Sequence, residues 1–176
     1  LLYEHLEYKF NVVALNLRGH GNSMPEQSCT SGILEARDLQ IAMQELAKLP
    51  QVDAKQLMAV GFSLGAITAV LAQADSQERI FKRIIAVGLP ATYEEALFNW
   101  FLQLVHPQQS SGHAPDDFYL EIAREAVEAT AIINQWNLRE AGIEVDRIHS
   151  LSRPVDVIAS VAAKTGLMLV WKTDDT

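Results

Sequence analysis

The chain has 176 residues, a formal net charge of −8 at pH 7 and a sequence pI of about 5.0. Hydrophobic residues make up 49% and charged residues 20%, a composition typical of a single globular domain that buries a sizeable core. The acidic balance excludes nucleic acid and anionic membranes as main partners, since both require a basic face, and no apolar run reaches the roughly 18 residues of a membrane span.

The first third of the chain predicts a helix, a strand and a second helix. Residues 1–9 have a helical pattern, and the β-branched apolar run at 11–17 predicts a buried strand. A loop rich in glycine follows at 18–32. Apolar residues near helical spacing then predict an amphipathic helix over 33–49, which Pro50 ends.

The alternation continues through the middle of the chain. Residues 55–62 predict a second buried strand, 64–75 a helix of small residues, and 81–91 a third strand. Strands that alternate with helices indicate crossover units and a parallel sheet. The predicted fold class is therefore α/β, with a parallel sheet that has helices on both faces and a helical insertion after it.

The insertion begins after the third strand. Residues 93–105 predict a helix, 106–117 a polar loop, and 118–142 one long helix or two. Six of the aromatic side chains within it suit either an acyl or leaving-group pocket or the core of a cap: Phe98, Trp100, Phe101, Phe118, Tyr119 and Trp136.

The end of the chain returns to the sheet. Residues 143–166 have a mixed pattern, and 167–172 predict a fourth strand. The predicted organisation is a core at 1–91, a helical insertion at 92–150, and a return to the core at 151–176. Neither terminus has a cap or a polar tail, so the sequence is interpreted as a piece of a longer protein.

The segment "VGFSLGA" contains the pattern G-x-S-x-G, formed by Gly61, Phe62, Ser63, Leu64 and Gly65. A predicted strand precedes it and a predicted helix follows, which is the context of a nucleophile elbow. We expect side chains at Gly61 and Gly65 to collide with the neighbouring strand and helix, so that glycine is needed at both. Ser63 is the predicted nucleophile, and the Leu64 N–H is a predicted oxyanion-hole donor.

With this motif the chain resembles the α/β-hydrolase superfamily, and a second segment supports the resemblance. "VVALNLRGHGNS" is similar to the strand and loop that lead into R-G-H-G-x-S in many of these enzymes. Asn16 stands where many members carry Asp. The matching residues are Arg18, Gly19, His20, Gly21 and Ser23.

A third segment, residues 153–175, resembles the acid-bearing stretch of prolyl-oligopeptidase-like and fermentation–respiration-switch-like esterases. The resemblance implies that Asp175 is the acid of a catalytic triad, with Asp174 as the alternative. Lys172 replaces the usual glycine.

The same resemblance implies that the catalytic histidine follows the acid in chain order. His20, His106, His113 and His149 all precede Asp175, so the base is expected beyond residue 176. The second oxyanion donor is expected upstream of residue 1. This chain alone is therefore expected to be inactive.

The predicted function is a serine hydrolase that acts on a carboxylic ester or related small-molecule acyl substrate, without metal or organic cofactor. Acyl transfer or peptidase activity on the same triad is the alternative, and a non-catalytic binding protein of the same fold is the rival outside enzymes. Glu35 and Asp38 are interpreted as a solvated helix face. The single cysteine, Cys29, is interpreted as incidental and favours a reducing, cytoplasmic compartment.

Overall fold

The computed structural model describes residues 9–23, 28–105 and 117–171. Two short 3₁₀ turns accompany its regular elements, at Ala54–Gln56 and Ile148–Ser150. The helices are α1 (Ile33–Leu46), α2 (Leu64–Asp75), α3 (Tyr93–Val105), α4 (Asp117–Glu140) and α5 (Pro154–Lys164). The strands are β1 (Met58–Phe62), β2 (Arg83–Val87) and β3 (Gly166–Val170).

The three strands form one parallel sheet in the order β1-β2-β3. The register aligns Val60 with Ile85 and Ile85 with Met168, so these three side chains lie on one face. Because every strand is parallel, all the carboxyl ends lie at one edge of the sheet. The predicted α/β class with a parallel sheet is confirmed.

The main core lies between the sheet and α2. This helix contains several small residues, which lets it approach β1 and β2 closely, and it also packs against α1 and α5. The fully or almost fully buried members of this core are Ala36, Ala66, Ala69, Val70, Ala72, Phe81, Ile84, Ala86 and Val161.

The opposite face of the sheet is open within the described part of the chain. α2 packs on β1 and β2, and α5, which contacts β3, also packs against α2, so both helices lie on the same side. On the other side Val60 is 43% exposed, Phe62 57% and Met168 57%. The described helices thus cover one of the two faces.

The insertion forms a helix pair with its own small core. α3 packs against α4, and Leu97, Val127, Ala131 and Leu151 are buried between and beside them. Phe98 and Phe101 pack against this cluster. Trp100, Phe118 and Trp136 are more than half exposed, so they do not belong to it. The helix over 118–142 is a single one, α4.

The predicted strand at 11–17 is wrong. These residues form no strand, and Val13 and Leu15 are about half exposed. A strand requires a hydrogen-bonded neighbour, and β1 has only β2 beside it among the described residues. The segment lies instead along α1, near Leu39 and Ala42. The helix predicted at 1–9 and the loop at 106–117 lie almost wholly outside the described residues.

No helix in the described ranges is both long and apolar enough to cross a membrane.

Candidate active site

Ser63 lies on a sharp turn between β1 and α2. Its backbone has φ 47° and ψ −113°, a left-handed φ that is uncommon for any residue other than glycine. The Ser63 N–H donates to the carbonyl oxygen of Val87 at 2.9 Å, which fixes the turn against the end of β2. The residue is exposed. The strained turn therefore holds Ser63 clear of the sheet and exposed to solvent.

Gly61 is required by the close approach of strand and helix. A Cβ atom at this position would lie 2.4 Å from the carbonyl oxygen of Gly65 and 2.5 Å from the amide nitrogen of Ala66. Both are backbone atoms, which cannot rotate away. The expectation for Gly65 is wrong, because a Cβ there would meet nothing within 4 Å. The Cα of this second glycine thus points into open space, although its carbonyl oxygen lies against Gly61.

The amide of Leu64 lies at the N-terminus of α2. Leu64 is the first residue of α2, and the first N–H groups of a helix have no carbonyl within the helix to bind. The positive end of the helix dipole also favours negative charge there. Phe62, on the other side of Ser63, is 57% exposed and points to the open face of the sheet.

The end of β3 lies on the same edge as Ser63. The Gly88 N–H donates to the carbonyl oxygen of Val170 at 2.7 Å, so the three strands end side by side. β1 and β3 are two strand spacings apart, about 10 Å. The chain that follows Val170 thus starts from the edge where Ser63 is displayed. Asp174 and Asp175 lie outside the described residues.

A model of the alpha/beta hydrolase family matches residues 1–176. The chain belongs to this family. Most of its members are hydrolytic enzymes. No curated protein matches the sequence.

The hydrolase-family loop at 18–23 is held by polar contacts. The Arg18 guanidinium donates twice to the Asp38 carboxylate, each time at 2.8 Å, and this pair joins the loop to α1. The Ser23 hydroxyl donates to the Asn16 carbonyl oxygen at 2.8 Å. A Cβ on Gly21 would lie 2.7 Å from the Asn16 side-chain oxygen. Asn16 therefore packs directly on the loop.

Neither of the two described histidines forms a hydrogen bond with Ser63. His20 Nδ1 lies 2.9 Å from the Arg18 carbonyl oxygen, a contact within its own loop. His149 Nδ1 lies 2.6 Å from an Asp146 carboxylate oxygen, and both side chains are exposed. His106 and His113 lie outside the described residues. The contacts of His20 and His149 are thus those of local structural residues.

The interpretation of Glu35 as a solvated residue is wrong. Its side chain is fully buried and accepts hydrogen bonds from Thr30 N–H, the Thr30 hydroxyl and Gly32 N–H at 2.7 to 2.9 Å. A glutamate three residues after a helix N-cap is the sequence signal of such a capping interaction. Three donors compensate the charge, which explains how a carboxylate can be buried here.

Cys29 lies close to Glu35. Burial raises the pKa of its thiol to about 11, and the negative charge of Glu35 adds to the effect. A thiol with such a pKa is a poor nucleophile at neutral pH. The described residues contain no group of three or more His, Cys, Asp or Glu side chains that could hold a metal ion.

Proposed function

We propose that the protein is a serine hydrolase that acts on a carboxylic ester or related acyl substrate, with Ser63 as the nucleophile. The observation that carries the proposal is the positive φ of an exposed serine at a strand-to-helix turn. Such strain persists only where the surrounding structure enforces it, and it clusters at functional sites. Membership of the alpha/beta hydrolase family supports the same chemistry.

The proposed reaction begins when Ser63 Oγ attacks the acyl carbon and its proton passes to a histidine that follows the acid in chain order. The Leu64 N–H stabilises the tetrahedral oxyanion, a contribution of about 3 kcal/mol for one donor. The C–O bond of the ester then breaks, and the histidine returns the proton to the leaving alcohol. Water attacks the acyl-enzyme by the same route and restores the Ser63 hydroxyl.

Asp175 is the proposed acid that orients this histidine, with Asp174 as the alternative. Two considerations support the choice. The resemblance of residues 153–175 to esterases implies that Asp175 is the acid. In addition, β3 ends at the same sheet edge as Ser63, and the two aspartates follow it closely in the sequence.

The test is covalent labelling of the full-length gene product with a fluorophosphonate probe, combined with hydrolysis of short p-nitrophenyl esters. Ser63→Ala should abolish both, because the only atom that bonds to phosphorus or to the acyl group is removed. Ser160→Ala is the control, since Ser160 is an exposed serine whose hydroxyl donates to the Val157 carbonyl oxygen. Labelling that survives Ser63→Ala would overturn the proposal.

A further inference from the structure

The two chain segments that join the helix pair to the core run side by side. The Tyr93 N–H donates to the Ser152 carbonyl oxygen at 2.9 Å, and the Val155 N–H donates to the Ala91 carbonyl oxygen at 3.1 Å. We call residues 91–93 and 152–155 the neck. The neck follows the end of β2, whose Val87 carbonyl oxygen holds the Ser63 turn. It therefore connects the helix pair to the core a few residues after Val87, the residue that binds the Ser63 turn.

A loop at residues 29–32 contacts the far side of this neck. The Ser31 hydroxyl is buried and lies 3.3 Å from the Ser150 carbonyl oxygen and 3.3 Å from the Ser152 amide nitrogen. The Ser152 N–H donates to this hydroxyl, whose own proton lies closest to the Thr30 carbonyl oxygen, at 2.7 Å, with the Ser150 carbonyl oxygen as a longer second acceptor. One buried hydroxyl thus accepts a hydrogen bond from the segment through which the chain leaves the helix pair, while its bond to Thr30 orients it within loop 29–32.

The loop has a backbone shape that must be maintained. Ser31 has φ 54° and Gly32 has φ 96°, two consecutive left-handed residues. A Cβ on Gly32 would lie 2.6 Å from a methyl carbon of Ile67 in α2, so the loop is pressed against the core. The three hydrogen bonds that Glu35 accepts all come from Thr30 and Gly32, on either side of Ser31.

The entry side of the neck contacts the loop as well. The Tyr93 hydroxyl and the Cys29 thiol lie beside each other, and burial raises the pKa of the Tyr93 hydroxyl. Loop 29–32 consequently touches the chain both where it enters the helix pair and where it leaves.

We propose that loop 29–32, shaped by Glu35, is the anchor that fixes the helix pair on the core, with Ser31 and Glu35 as positioning residues. The proposal goes beyond the proposed function and does not depend on it. If loop 29–32 were an ordinary part of the core, its loss would weaken the whole molecule evenly. An anchor predicts that the neck opens while the sheet stays closed.

The test is native-state hydrogen exchange of the protein and its Ser31→Ala and Glu35→Gln variants. The reporters are the amides of Tyr93 and Val155 in the neck, and the amides of β2 serve as the reference for global opening. Loss of a net hydrogen-bond contribution should accelerate exchange in the neck by about 5-fold to 30-fold, with little change in β2. Exchange in the neck and in β2 that accelerates by the same factor would overturn the proposal.

Ser152→Ala is a matched control. The Ser152 hydroxyl is buried in the same neck, but it has no hydrogen-bond partner among the described residues. Its removal should change neck exchange by less than about 2-fold, because no bond is lost. If Ser31→Ala has no larger effect than Ser152→Ala, the anchor is refuted. Should Glu35→Gln fail to fold, the two serine variants decide the question alone.

Discussion

The two faces of the sheet are built from alternate residues of the same strands and differ in what covers them. Ile84 and Ile85 are neighbours in β2, yet Ile84 is fully buried against α2 while Ile85 is only half-buried on the open face. Both residues are isoleucines, so hydrophobicity does not decide which one belongs to the core. Which isoleucine is buried depends on which face of the sheet the helices cover.

The largest expected loss of stability comes from a substitution on the covered face. Ile84→Ala should lower the free energy of unfolding by about 3 kcal/mol, because it removes buried methyl groups and leaves a cavity beneath α2. The measurement is urea denaturation followed by circular dichroism. Ile85→Ala removes the same atoms from the next residue and should cost about 1 kcal/mol, since Ile85 is already partly hydrated. Equal losses would contradict the one-sided core.

A somewhat smaller effect is expected at the point where the covered face meets the Ser63 turn. Gly61 pairs with Ala86 and faces α2, so Gly61→Ala should destabilise the protein by about 2 kcal/mol through overpacking against backbone. Gly65→Ala is the matched control at the other glycine of the motif. It should be neutral or stabilise α2 slightly, by up to about 1 kcal/mol. A Gly61→Ala variant as stable as the protein itself would mean that strand and helix are not in close contact at Gly61.

The smallest expected effect concerns the open face. Met168 is 57% exposed, so Met168→Gln should change the free energy of unfolding by less than about 0.5 kcal/mol. The same denaturation experiment measures it. A loss comparable to that of Ile84→Ala would show that the face is covered in solution.

Much of the fold is predictable from local patterns. The bounds of α2 and α3 agree with the predicted 64–75 and 93–105, because each begins after a clear break and has a sustained helical pattern. The mixed pattern over 143–166 did not predict α5. The strand predicted at 11–17 failed because pairing depends on a neighbour, which β-branched composition cannot supply.

Some features of the candidate site are likewise predictable from the sequence, and others are not. The elbow context and the need for Gly61 follow from the order of strand, serine and helix. The freedom at Gly65 does not, because it depends on which atoms of the folded chain lie next to that position. The spacing of Glu35 from Gly32 signals a cap, but its burial was missed because its three donors converge only when Ser31 and Gly32 adopt a left-handed backbone.

The single thiol of Cys29 has a practical consequence. Because folding raises its pKa from 9.0 to about 11, unfolding should increase the thiolate fraction at neutral pH by about a hundredfold. Reaction with Ellman's reagent should be slow in buffer and accelerate with urea along the unfolding curve, whereas fast reaction without denaturant would contradict the burial. The protein thus has a built-in chemical probe that reports when the region around loop 29–32 opens.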